Sequence, residues 1–329
     1  MLENFIAQNC GPTEYINLNM QADGKINALD YSVCKPYGIL SVSGIYGYTA
    51  KEHIVTALQI LSDIIKTSIN TPICNNTLLP SHQSENIIFI VEFITNKKNI
   101  TYSLTLNKQN TQITVKQERL LADKQLIFSR YNDCVLLQKK STQKDVDRLF
   151  LTNGLSEQSI INKQLYDDII EWFSEKLIIM TPTSHIEPIY EETKKFIAQI
   201  TNNTSSMTWY TSELARIVNT IIHAVKTGAV LIINGFDTIP SNAGMELINI
   251  IHNDDINKKN AQLIFTANNP VYMNPNVMRA DEIKLVEIND IYSMADFPQN
   301  SKNRIEKYLM GCYGGIENYN ITNLFDRKE

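Results

Sequence analysis

Cysteine is scarce in this chain and follows no pattern. Cys10, Cys34, Cys74, Cys134 and Cys312 are odd in number and show no C-x-x-C spacing. That argues against a zinc site or a disulfide framework and fits a reducing cytosol. Long apolar runs are missing too: no stretch approaches the ~18 apolar residues of a membrane span. The opening MLENFIAQNC has no basic segment followed by a long apolar one, so the expectation is a soluble cytoplasmic protein with no membrane partner. Positive charge is not in excess, the net charge being −5. There is thus no global electrostatic case for coating nucleic acid, and no Lys/Arg stripe with interleaved aromatics stands out. Metal spacing is absent: His53, His82, His185, His223 and His252 form no His-x-x-x-His or Glu-x-x-His pair. His223, beside Ile221 and Ile222, reads as a packing residue. Asp254-Asp255 lacks the full calcium-loop pattern and reads as a solvated turn. No internal repeat or low-complexity tract appears.

What is present is an ordinary globular composition, 43% hydrophobic and 20% charged over 329 residues, enough for one large domain or two. The first 45 residues are short strand-like pieces broken by Gly11-Pro12, Asp23-Gly24 and Lys35-Pro36. From Ile87 to Gln138 the pattern turns to period two with β-branched residues and polar turns such as Asn96-Lys97-Lys98-Asn99, which predicts an antiparallel meander. Residues 141–227 switch to helical periodicity, clearest in QLYDDIIEWFSEKLIIM and ELARIVNTIIHAVKT. Then come an apolar strand (AVLIINGF), a helix (AGMELINIIHN) and a second apolar strand (AQLIFTA). Strands apolar throughout and alternating with helices predict a parallel α/β sheet. The expected division is 1–70 and 228–329 as two parts of one core, 71–140 as a β-subdomain and 141–227 as a helical insertion.

The most telling segment is GIYGYTAKEHIVTAL, residues 44–58. A buried strand (Ile39, Leu40, Val42, Ile45) leads through small residues to Lys51. A helix follows, running to about Thr67, with Ile54, Leu58, Leu61 and Ile65 on one face. Strand, loop, lysine and helix in that order suit phosphate binding, because backbone N–H groups at a helix start cradle phosphates. The P-loop pattern G-x-x-x-x-G-K-[ST] is not met, however. Gly47 lies two residues too close to Lys51, Gly44 one too far; Ala50 replaces the second glycine and Glu52 the hydroxyl residue. No other glycine-rich loop is followed by Lys-Ser/Thr.

The chain resembles the small bacterial AAA family ATPases of ATP-binding-cassette type, the abortive-infection and overcoming-lysogenisation-defect kind found in anti-phage systems. Their A-x-I-Y-G-x-N-x-S-G-K-S-N-L is answered by SGIYGYTAKEHIV, their V-L-V-I-D-E-L-D by VLIINGFD (230–237), and their A-Q-L-I-F-T-T-H-D by AQLIFTANN (261–269). NPNVMRADEIKLVE, YSMADF and RIEKYLMGCYGG continue the likeness to Gly315. The resemblance implies an α/β fold: a P-loop NTPase core like that of cassette ATPases, with an antiparallel β-subdomain and an inserted helical segment.

The resemblance also implies roles, and most positions have lost the group needed. Lys51 stands where lysine neutralises β/γ-phosphate charge; otherwise it is a solvated first-turn residue. Glu52 replaces the magnesium-binding hydroxyl and would repel phosphate. The shortened loop loses about two backbone donors. Asn234 and Gly235 replace the Asp and Glu that hold magnesium and polarise water, and neither carries charge. Asn268 replaces the γ-phosphate-sensing histidine. Ser212 is followed by Glu213 where a Ser-Gly pair would approach the opposite subunit's nucleotide. Asp237 matches an Asp that contacts the partner subunit, or else is a turn residue near Pro240. Trp209 and Tyr210 are candidates for a partner surface or for the core, and His53 for an anion contact.

No catalytic or metal-binding residue is assigned. Residual nucleotide contacts would fall on Gly47, Tyr48, Thr49, Lys51 and Asp237. Two readings stay open. One is a pseudo-ATPase without cofactor, acting as an interaction or regulatory scaffold, as a homodimer or with an active ATPase or effector subunit. The other is an ATPase binding Mg-ATP through a non-standard or composite site shared with a partner. A nucleic-acid clamp is not indicated.

Overall fold

Period two becomes strand and period 3.6 becomes helix over most of the chain. The structure, a computed structural model, describes residues 1–11, 14–24, 32–34, 37–47, 50–69, 86–109, 112–137, 140–143, 145, 147–155, 161–180, 189–201, 209–287, 290–297 and 303–314. In order these form β1 (Leu2–Gln8), β2 (Tyr15–Asn19), β3 (Val33–Cys34), β4 (Ile39–Leu40), β5 (Val42–Tyr46) and α1 (Ala50–Ser68). Next are β6 (Asn86–Thr95), β7 (Lys98–Gln109), β8 (Gln112–Ala122), β9 (Gln125–Tyr131), β10 (Cys134–Leu137) and β11 (Lys140–Gln143). Then follow α2 (Phe150–Asn153), α3 (Lys163–Glu171), β12 (Leu177–Met180), α4 (Glu191–Thr201) and α5 (Trp209–Thr227). The last are β13 (Val230–Ile233), α6 (Ser241–His252), β14 (Gln262–Thr266), β15 (Ile283–Glu287), β16 (Asp290–Ser293) and α7 (Arg304–Leu309). The protein is therefore mixed α/β. Among the described residues no helix is long and apolar enough to cross a membrane.

The expected meander is present as β6 to β10 and continues to β11. It belongs to an eight-stranded antiparallel sheet ordered β11-β10-β9-β8-β7-β6-β1-β2, so β1 and β2 from the first 70 residues complete it. Its tight turns follow from local chemistry: Asn96-Lys97 and Asp123-Lys124 both take positive φ at two successive positions, the hairpin geometry that Asn and Asp tolerate. On β6, Phe89, Val91 and Phe93 point inward, and Phe93 stacks on Trp172 at 3.9 Å between ring centroids. Glu118 on β8 fastens α2 by accepting from the N–H groups of Phe150 and Leu151. Tyr102 Oη donates to the same carboxyl, whose pKa burial raises above the ordinary range.

The second sheet is six-stranded, ordered β12-β13-β14-β5-β15-β16, with every pair parallel except β15–β16. β5, β13 and β14 are buried at every position, as expected of strands covered on both faces. One core lies between the two sheets and α1 to α3; the other lies on the opposite face with α5 and α6. Gln262 at the start of β14 ties the sheets together. Its carboxamide accepts from Leu2 N and donates to Leu2 O and Leu40 O.

Two segments correct the sequence expectation. Residues 163–180 do not form a single helix: α3 ends at Glu171, a π-helical turn covers Trp172–Lys176, and LIIM becomes β12 at the edge of the parallel sheet. An apolar run continues either period, and the β-branched pair Ile178-Ile179 meets β13 in parallel register. The strand expected through Ile39, Leu40, Val42 and Ile45 is divided at Ser41 into β4, which pairs with β3 in a two-stranded sheet, and β5 of the parallel sheet. The other named helices and strands match. α1 runs from Ala50 to Ser68, α6 from Ser241 to His252, and β14 from Gln262 to Thr266.

Candidate functional site

Register brings the carboxyl ends of β5, β13 and β14 side by side: Ile233 pairs with Phe265, and Thr266 with Ile45. Ligands of open parallel sheets bind at such strand ends. Gly47 follows β5, Asn234 and Gly235 follow β13, and Asn268 follows β14. The sequence candidates Gly47, Lys51, Asn234, Gly235, Asp237 and Asn268 are thus brought together, while Tyr48 and Thr49 lie outside the described residues.

Lys51 is not a solvated first-turn residue. It is 3% exposed, and its Nζ donates to Gly47 O at 2.6 Å and to Asn268 Oδ1 at 2.8 Å. The ammonium folds back onto the loop that precedes it and across to the end of β14. Burial lowers its pKa, and the charges of Glu52 and Asp237 partly restore it. Glu52 is exposed in the first turn of α1. There a carboxylate already takes the favourable interaction with the helix dipole that a phosphate would seek.

The remaining members also satisfy one another. Thr266 Oγ1 donates to Asn234 Oδ1 at 2.5 Å, and Gly235 N donates to Thr266 Oγ1 at 2.9 Å. Gly235 takes φ 73° and ψ 52°, a left-handed turn that an L-residue enters only with strain. Asp237 accepts from Asn268 N and Asn269 N, both at 2.9 Å. It therefore ties the β14 exit loop, while Pro240 at the N-cap of α6 makes no side-chain cap. Gly47 is fixed by a close approach: at φ +142°, a Cβ there would lie 2.5 Å from Val286 O.

The other candidates lie elsewhere. Ser212 is exposed on α5, and Glu213 pairs with Arg216 one turn on. The side chains of Trp209 and Tyr210 fall outside the description, as do His82, His185 and Cys74. His53 is half-buried, and burial lowers its pKa against the pull of Glu52. His223 Nδ1 hydrogen-bonds Tyr190 Oη at 2.9 Å. Asp254 and Asp255 are exposed in a turn. His252 meets Glu282 at 2.7 Å in the core. Among the described residues no cluster of three His, Cys, Asp or Glu is arranged to hold a metal ion.

Sequence reasoning missed Lys284, a buried lysine on β15. The available signal was a lone lysine inside the apolar run IKLV. Comparison with known proteins adds no assignment: no protein-family model matches the chain, and no curated protein matches it.

Proposed function

We propose that the chain is a catalytically degenerate ATPase of ATP-binding-cassette type, kept as an interaction or regulatory scaffold in bacterial anti-phage defence. The observation that carries this reading is the commitment of Lys51 to Gly47 O and Asn268 Oδ1. The cation suited to triphosphate charge is held by groups of the protein itself. Asn234 and Gly235 stand at the end of β13, where a magnesium carboxylate and a base would be needed, and neither can ionise. Further support comes from layout: a parallel sheet with the β5–α1 loop near its middle, beside an antiparallel sheet. A scaffold of this kind works through a protein partner, either a second copy or an active ATPase or effector subunit.

Titration calorimetry of the purified chain with Mg-ATP tests the proposal. The expected result is no saturable heat at millimolar nucleotide. A saturable one-site signal removed by Lys51→Ala would instead favour an ATPase working through a non-standard or composite site.

A further inference from the structure

The seam between the two sheets holds a cavity separate from the crevice around Lys51. β2 is an edge strand of the eight-stranded sheet, and β16 an edge strand of the six-stranded one. Where they meet, a cavity of about 420 Å³ opens, walled in part by Asn17, Asn19, Asp23, Asp281, Lys284 and Asp296. Small-molecule sites typically measure ~300–1,000 Å³. Lys284 pairs with Ile45 in the body of β5, whereas Asn234 and Asn268 lie beyond the ends of their strands.

Packing does not explain Lys284. Along β15, Ile283 and Leu285 belong to the core shared with α5 and α6, while Val286 belongs to the core between the sheets. Alternation places Lys284 on the Val286 side, where an apolar residue would complete the face. Instead a lysine sits there, 6% exposed, its ammonium making no hydrogen bond or ion pair among the described residues. Its ammonium donors meet no acceptor of the described residues and turn to the cavity, a costly arrangement for a largely buried residue.

The neighbouring carboxylates do not reach it. Asp281 accepts from the Arg279 guanidinium through both oxygens and from Asp23 N through Oδ2. Asp296 Oδ2 accepts from Ser293 N in a capping box. Burial lowers the Lys284 pKa, and Asp281, Asp296 and Glu282 act on it only through space, in the opposite sense. Each carboxylate keeps acceptor capacity, since an ionised carboxylate offers about four lone-pair sites.

The charges select the ligand class. A simple anion drawn to Lys284 would meet Asp23, Asp281 and Asp296; a simple cation drawn to the carboxylates would meet Lys284. A ligand carrying both charges on groups bonded to one carbon satisfies both. We propose that this cavity binds a small zwitterion with an α-amino-acid head, its carboxylate on Lys284 and its ammonium on Asp281 and Asp296. Asn17 and Asn19 supply side-chain amides from β2. This site is independent of the ATPase reading.

The test is a thermal-shift screen of the full chain against the free proteinogenic L-amino acids, followed by calorimetry on those that stabilise. Sodium acetate, methylamine and the N-acetyl and carboxamide derivatives serve as single-charge controls. At least one free amino acid raises Tm saturably. Its two derivatives bind at least about tenfold more weakly, as removal of a charged hydrogen-bonding partner implies. Lys284→Met loses the binding to a similar degree while staying folded. Stabilisation by none of the amino acids, equal binding of the derivatives or of acetate, or unchanged affinity in Lys284→Met would each overturn the proposal. If Lys284→Met does not fold, the derivative series on the unaltered chain decides alone.

Discussion

Two buried lysines flank β5 and meet different surroundings. Lys51 opens α1 at 3% exposure and donates to a backbone carbonyl and a carboxamide. Lys284 sits on β15 at 6% exposure, and its ammonium makes no hydrogen bond or ion pair among the described residues. The first charge holds the protein together, joining the β5–α1 loop to the end of β14. The second burdens the fold and faces a cavity. The lysine standing where the proposed reading would put a phosphate contact is held by the protein's own groups. The lysine outside any familiar motif is the one poised for a ligand.

The largest expected effect comes from the glycine at the junction of the two regions. Gly47→Ala would place a Cβ 2.5 Å from Val286 O at φ +142°, two residues along β15 from Lys284. Backbone must shift on both sides, and urea unfolding should show a loss of about 3 kcal/mol or more. A loss below about 1 kcal/mol would mean that the loop does not pack so closely. Next is Lys51→Met, which leaves Gly47 O and Asn268 Oδ1 without their donor and should destabilise by about 2–3 kcal/mol. If stability were unchanged, the lysine would not be structural and the contrast with Lys284 would disappear.

Smaller effects refine the comparison. Gly235→Glu introduces an acidic residue at the end of β13, as the proposed reading would require for catalysis. A Cβ has room there, with Thr238 Cγ2 nearest at 3.6 Å, but the backbone stays left-handed at φ 73°. The expected cost is about 1 kcal/mol, with no gain of ATP turnover. Lys284→Met should be neutral or stabilising by up to about 1 kcal/mol, the sign opposite to Lys51→Met, because an unpaired buried charge is replaced by an apolar chain of similar length. Its pH dependence is distinctive. Because its pKa is lowered, Lys284 binds fewer protons in the folded chain than in the unfolded one. Its destabilising effect is therefore full below its folded pKa and fades as pH rises through that value towards the ordinary 10.5. Urea midpoints across that range should show the variant's advantage narrowing with alkalinity; a constant gap would assign the effect to packing alone.

Much of the scaffold was legible because its signals are local. Apolar runs at AVLII and AQLIF gave β13 and β14, helical spacing after Lys51 gave α1, and alternation with polar turns gave β6 to β10. β12 was not legible: LIIM continues the apolar spacing of α3, and only its parallel neighbour β13 makes it a strand. Pairing of β1 with β6 links residues that no local pattern connects. The candidate crevice was legible as a set of missing groups. Its internal closure was not, since Lys51 and Asn268 are 217 positions apart and meet only through strand order. Lys284 escaped for a related reason. In a strand buried on both faces, periodicity does not say which residue looks into a cavity.

Steady-state ATP hydrolysis by the purified chain in the presence of magnesium tests most directly whether the crevice has given up its chemistry. With Lys51 held by Gly47 and Asn268, and no ionisable group at Asn234 or Gly235, turnover should equal that of buffer and stay unchanged in Lys51→Ala. Robust turnover that Lys51→Ala abolishes would contradict it.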